Sequence, residues 1–256
     1  PMAHLHSKVK FAITHGPGLG FMRDRISNMA RLSRPKDQLA FALGVRPSEL
    51  ATKIHRIEHH LSHSASAFNV SPFDNAAVVS IDAFGDFRST MVSAGEGSRL
   101  KQVSSVGFPH SLGILYTAVT QYLGFLRYGD EYKVMGLASY GDPTYIEEFR
   151  RMVSPGSKGT FKLGLDYFLH ASLCVNMAWD NTEPRIDRAY SDFMCRRLGP
   201  SREPDEEVTD RHKNIAASLQ AVLQEIYYHV LNYAYDAIGK KSLALAGGVA
   251  FNSVAN

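Results

Sequence analysis

Six uncharged residues, Ala76-Ala77-Val78-Val79-Ser80-Ile81, run straight into Asp82. An apolar run of this length reads as a buried strand, and the carboxylate marks its end. Two further strands are predicted at 87–94 and 100–106. The turn residues Ala83-Phe84-Gly85-Asp86 and Gly95-Glu96-Gly97-Ser98 separate the three as hairpin connections. Between 112 and 125 the apolar positions Leu112, Leu115, Tyr116, Val119, Tyr122 and Leu123 fall at helical spacing. A long helix is predicted over 212–237 and a buried strand over 242–246. The strand meets Gly247-Gly248, and a further helix is expected to start near Asn252.

Upstream, 22–52 reads as helical in two pieces broken around Ser33-Arg34-Pro35, and 54–58 as a short strand. A helix then carries His59, His60 and His63 with the small residues Ser64 to Ala67, and Ser71-Pro72-Phe73-Asp74-Asn75 is a turn cluster. Residues 144–210 are mixed, with Pro155, Pro184, Pro200 and Pro204 scattered through them, and read as an insert.

The chemistry suggested by this layout centres on two histidines. His59 and His63 are four apart, so a helix puts both imidazoles on one face within reach of a single metal ion. With Asp82 they make an open metal site that leaves coordination positions for a ligand. The same residues also read as surface histidines and a turn-forming aspartate, and the residues alone leave both readings standing. His60 lies about a hundred degrees round the helix and reads as solvent-facing or as a support to the ligands. Gly85 and Asp86 form a tight turn that brings backbone close to a phosphate, or an ordinary hairpin turn. Gly247 and Gly248, after a buried strand, leave room for a nucleotide against the backbone, or simply turn the chain. Asn252 reads as a helix cap or a nucleotide contact. Glu131 and Lys133 read as groups that orient a substrate or nucleotide, or as a plain ion pair.

Bulk properties narrow the classes. The chain has 256 residues, 45% hydrophobic and 21% charged, which is enough for a packed core. A net charge of +3 does not point to nucleic acid. The basic stretch 21–56 reads as a solvated helical face. Cys174 and Cys195 are the only cysteines, so a disulfide framework and a cysteine-only zinc site are excluded by count. No membrane span and no leader peptide are visible, and a cytoplasmic location is expected. The chain starts at Pro1 and stops at Asn256, where a helix is expected to begin, and it reads as an internal fragment.

The order β-β-β-α-(insert)-α-β-α is that of one half of an actin-like, sugar-kinase-like ATPase fold, an α/β architecture with two RNase H-like halves. On this reading 1–75 is the C-terminal part of the first half, and 76–256 is a truncated second half with the insert at about 144–210.

Three stretches carry a closer resemblance. They are Glu58-His59-His60-Leu61-Ser62-His63-Ser64-Ala65-Ser66-Ala67-Phe68, then Gly129-Asp130-Glu131-Tyr132-Lys133-Val134-Met135-Gly136-Leu137-Ala138-Ser139-Tyr140-Gly141, then Leu245-Ala246-Gly247-Gly248-Val249-Ala250-Phe251-Asn252. In order and spacing, over about 40–256, they resemble the carbamoyltransferases of the NodU and antibiotic O-carbamoyltransferase type. The resemblance implies a transfer domain related to the tRNA threonylcarbamoyl transferase, with a metal held by His59, His63 and Asp82; two imidazoles and a carboxylate suit Fe(II) or Zn(II) better than Mg(II). It implies a further ligand aspartate beyond Asn256. It also implies a C-terminal YrdC-like domain that makes carbamoyl-adenylate from ATP and carbamoyl phosphate, and an acceptor hydroxyl on a sugar, nodulation factor or antibiotic. The rival readings are a non-catalytic nucleotide-binding module and a sugar-kinase-like phosphotransferase. The kinase needs no histidine pair.

Three departures from the family pattern stand out. Asp82-Ala83 replaces the usual Asp-Gly, which puts the local turn in doubt. Phe251 replaces Leu. The family's opening hairpin with its His-Asp-Ser-Ala signature is not matched by Met2-Ala3-His4-Leu5-His6-Ser7.

Overall fold

The structure, a computed structural model, describes residues 34–172, 177–180 and 183–256. The first piece of the expected 22–52 helix, with Arg23, Arg25 and Arg31 of the basic stretch, lies outside the described residues. The second piece is helix α1, Pro35–Leu43. Pro35 sits at its first turn, where a missing N–H costs nothing, and Gly44 closes it at φ +67°. The strand expected at 54–58 does not form. Ile54 and Ile57 are exposed, so this segment has no apolar face for a sheet to bury.

Helix α2, His59–Phe68, is capped by the Glu58 carboxylate, which accepts from the Leu61 N–H at 2.7 Å. Three antiparallel strands follow: β1, Asn75–Gly85, β2, Arg88–Glu96, and β3, Arg99–Gly107. The first connection is shorter than expected. β1 runs on through Gly85, and only Asp86 and Phe87 turn the chain, at φ +49° and +74°. Two-residue hairpins favour positive φ at both central positions because that matches strand twist. A left-handed backbone at a bulky residue such as Phe87 costs roughly 1–2 kcal/mol. The Phe87 ring stacks on Phe108, with centroids 5.0 Å apart, and the Phe108 N–H donates to the Phe87 carbonyl.

Helix α3, Leu112–Tyr122, starts at Ser111, whose hydroxyl accepts from the Ile114 N–H. Helices α4, Glu131–Ala138, and α5, Ile146–Met152, come next. The insert is well organised: β4, Val153–Pro155, pairs with β5, Phe161–Leu163; β6, Met177–Asp180, pairs with β7, Glu183–Ile186; and α6, Asp192–Leu198, follows. Helix α7, Asp210–Ile238, spans 29 residues and ends at Gly239, φ +68°. Strand β8, Leu243–Ala246, leads into a 3-10 turn, Gly248–Phe251. Where a helix was expected near Asn252, a single turn is present, with the Asn256 N–H donating to the Asn252 carbonyl.

The main sheet has the order β3-β2-β1-β8, with β8 parallel to β1. Both faces of β1 are covered, which is why its sequence is continuously apolar rather than alternating. Ala77, Val79 and Ile81 enter the large core with Leu115 and Val119 of α3 and Leu219 and Leu223 of α7. Ala76 and Val78 meet Phe68 of α2 and Ala244 of β8 in a much smaller cluster. The period of two therefore aims Asp82 toward the α2 side. The fold is α/β with a mixed sheet. Among the described residues no helix is long and apolar enough to cross a membrane.

Candidate metal centre

The i,i+4 spacing of α2 works as the sequence implies. The Nε2 atoms of His59 and His63 lie 3.1 Å apart. Asp82 Oδ2 is 3.1 Å from His59 Nε2 and 3.0 Å from His63 Nε2. The three side chains are 38%, 32% and 23% exposed for His59, His63 and Asp82, so the cluster opens to solvent and ligands can reach it.

The donor chemistry fits a metal. Two imidazole nitrogens and one carboxylate oxygen, each with a lone pair to give, face one another. A triangle with these edges has a circumradius of about 1.8 Å, so one ion can lie about 2.1 Å from all three atoms. Two histidines and a carboxylate on one side of an ion leave its other side for ligands.

The electrostatics agree. The His59 imidazole is raised above its ordinary range, first by its hydrogen bond to Asp82, and burial opposes this. Burial pushes the Asp82 carboxyl up. The hydrogen bonds from His59 and from the Ala83 N–H, with the neighbouring histidine charges, outweigh it and hold the group well below the usual carboxylate range.

The strand end is held from several sides. The Ser111 hydroxyl donates to the Asp82 carbonyl at 3.0 Å, and the Ala83 N–H donates to Asp82 Oδ1 at 2.7 Å. Ala83 is not in the left-handed region, so the alanine in place of the family's glycine is accommodated without strain. His60 corrects the surface reading. It is fully buried under α2, with Nδ1 2.8 Å from Ser80 Oγ. Burial lowers its imidazole.

A cavity of about 450 Å³ adjoins the cluster, at the carboxyl ends of β1 and β8. Asp82, Tyr116, Glu131, Tyr132, Gly248 and Asn252 are among its lining. Gly248 and Asp82 thus share a wall although far apart in sequence. A Cβ on Gly248 would come 3.0 Å from Asp82 Oδ1. Gly247 is not on the wall. It sits at φ +89°, and a Cβ there would come 2.2 Å from the Ile81 carbonyl oxygen.

The remaining expected residues divide between wall and scaffold. Glu131 Oε1 accepts from the Thr117 hydroxyl at 2.7 Å. Lys133 is off the wall, paired with Asp130 at 2.7 Å. The Asp86 carboxylate accepts from the backbone N–H of His59 at 3.0 Å. A Cβ on Gly85 would come 2.0 Å from the His59 ring.

Asn252 belongs to a buried network. Its Oδ1 accepts from Gln220 Nε2 at 2.9 Å and from the Ala255 N–H at 3.0 Å, and its Nδ2 donates to Gln220 Oε1. The Tyr116 hydroxyl donates to the same Gln220 oxygen at 3.0 Å. Burial, with the nearby Glu131 charge, pushes the Tyr116 phenol well above its ordinary value. Tyr116 read only as core from its spacing. The available signal was its hydroxyl, which needs a partner inside an aliphatic stripe.

An α/β domain with a two-histidine, one-carboxylate cluster beside a cavity at its strand ends is the class these observations define. Residues 32–256 match the family described as Carbamoyltransferase N-terminus, and the chain belongs to that family. An uncharacterized protein of Synechocystis sp. is 40% identical over 200 residues, covering 78% of this chain and 31% of that relative. The Nodulation protein NolNO of Sinorhizobium fredii is 34% identical over 235 residues, 90% of this chain and 31% of its own. The Nodulation protein NolO of Bradyrhizobium diazoefficiens is 35% identical over 201 residues, 78% of this chain and 32% of its own. The chain thus spans about a third of the length of the curated relatives it matches.

Proposed function

We propose that this chain forms the metal- and nucleotide-holding part of an O-carbamoyltransferase, a cytoplasmic enzyme that moves a carbamoyl group onto a hydroxyl of a small molecule. The observation that carries the reading is the convergence of His59, His63 and Asp82 beside a cavity walled by Gly248 and Glu131, in a chain of this family. The sheet order and the parallel β8 support the finer reading of an RNase H-like half of an actin-like fold. On it, 76–256 is the second half with its insert at about 144–210, and α2, from the stretch assigned to the first half, packs on its sheet.

His59, His63 and Asp82 would hold Fe(II) or Zn(II), since nitrogen and carboxylate donors suit these ions better than Mg(II). When bound, the ion supplies Lewis acidity toward a carbamoyl carbonyl or an adenylate phosphate. The chain's own residues do the rest. Ser111 and the Ala83 N–H fix the direction of Asp82. The missing side chain of Gly248 keeps the space beside that carboxylate open to a nucleotide. Glu131, at the start of α4, offers an acceptor to a hydroxyl or amine donor of the ligand. The Tyr116-Gln220-Asn252 network fixes the 3-10 turn against α7. Gly85 and Asp86 border the centre from the hairpin. Lys133, already ion-paired, has no contact role in this reading. Activation of the carbamoyl group with ATP and carbamoyl phosphate is assigned to a YrdC-like domain of the longer protein.

The test uses the full-length enzyme. Pyrophosphate release with ATP and carbamoyl phosphate reports activation, and product mass over a panel of hydroxyl acceptors reports transfer. His63→Ala should keep the first and abolish the second. Wild-type product formation by His63→Ala would overturn the reading.

A further inference from the structure

The hairpin tip between β1 and β2 touches the metal cluster from behind, and each of its residues is costly or unusual. Asp86 and Phe87 both hold positive φ, a conformation that branched or bulky side chains avoid. Phe87 is kept there by its stack on Phe108. Gly85 lies so close to the His59 ring that no side chain fits between them. The Asp86 carboxylate reaches across from the sheet to α2 and accepts the N–H of His59, the first residue of that helix.

This N–H is one of the donors that a helix start leaves without an intrahelical partner. The local cap, Glu58, serves Leu61 instead, two residues on. His59 is therefore held at three points. Its backbone is bonded to Asp86, its ring rests on Gly85, and its Nε2 meets Asp82. The alternative use of this turn, as a phosphate cradle, sits badly with it: a carboxylate repels phosphate, and one oxygen is already committed.

We infer that Asp86 is a positioning residue of the metal centre, holding His59 in its ligating orientation through the backbone of α2; this rests on the metal reading of the cluster. What the role requires is an acceptor on a side chain that tolerates positive φ. Asparagine supplies both. Glycine supplies the backbone freedom without the acceptor.

The experiment uses metal-free full-length protein titrated with Zn(II) against a chromogenic chelator. Wild type, Asp86→Asn, Asp86→Gly and His63→Ala are compared, and each metal-free protein is melted as a check on folding. Asp86→Asn should bind zinc within about threefold of wild type. Asp86→Gly should bind about 10- to 100-fold more weakly, the usual loss when a group supporting a ligand is removed. Wild-type affinity in folded Asp86→Gly would overturn the assignment. So would a loss beyond tenfold in Asp86→Asn, which decides the matter even if the glycine variant does not fold. If His63→Ala binds zinc as tightly as wild type, the metal reading itself fails, a result distinct from either of these.

Discussion

Gly247 and Gly248 are neighbours with different obligations. At Gly247 an added Cβ meets the main chain of β1, which cannot move without breaking the sheet, and φ is in the left-handed region. Gly247→Ala is therefore expected to destabilise the fold by about 2 kcal/mol or more. At Gly248 the added atom meets no main chain, only the Asp82 side chain with its Oδ1 at 3.0 Å, so a shift of a few tenths of an ångström relieves it at the expense of the ligand geometry. Gly248→Ala should leave stability within about 1 kcal/mol of wild type and weaken Zn(II) binding. Urea melts and zinc titration of the two variants check the contrast, and equal melts for both would contradict it. Residues of this kind differ in how readable they are. His59, His63 and Asp82 could be found because helix and strand periods put them on facing sides. The Tyr116-Gln220-Asn252 network could not, because its members come together only when α3, α7 and the 3-10 turn pack, through hydrogen bonds that join residues as many as 104 apart.

Elements show the same divide. The buried strand, the α3 stripe and the long α7 follow from apolar spacing alone. The end of β1 does not, because Asp86-Phe87 turns at positive φ without the glycine that normally announces such a turn. The insert was opaque because its strands are three or four residues long, below the length at which a period can be recognised. One of its contacts with the main body has a pH signature. His170 is buried among Phe84, Phe108 and Phe168, with Nε2 donating to the Pro109 carbonyl at 2.7 Å. Burial pushes its imidazole down to about 4. The unfolded chain then binds the proton first, so this contribution is complete above pH ~6.5 and is lost as pH falls toward 4, by up to about 1.4 kcal/mol per unit. Thermal melts across that range should fall more steeply for wild type than for His170→Gln. Parallel curves would show that His170 stays accessible to protons in the folded state.

At the scale of the whole molecule, one sheet separates two unequal layers. On one side α3 and α7 fill a large apolar core. On the other, α2 rests on a small cluster and on polar contacts, His60 with Ser80 among them. The α/β class was legible because strands and helices alternate with clear periods. The inequality of the layers was not. It depends on His60 facing the sheet, and a histidine beside two others reads as easily toward solvent.

That inequality has a thermodynamic consequence. An element with few apolar contacts opens locally at lower free energy than the rest of a fold. The candidate ligands straddle this weak seam, two on α2 and one on β1, so opening α2 would release the ion. Occupancy and opening are then linked. At a free Zn(II) concentration a hundredfold above its Kd, opening of α2 should cost about 2.7 kcal/mol more than in the metal-free protein. Amide hydrogens in the Ser64–Phe68 stretch should exchange about a hundredfold more slowly with zinc present, while those of α7 respond much less. Equal slowing in both helices would mean that α2 opens only when the whole fold does.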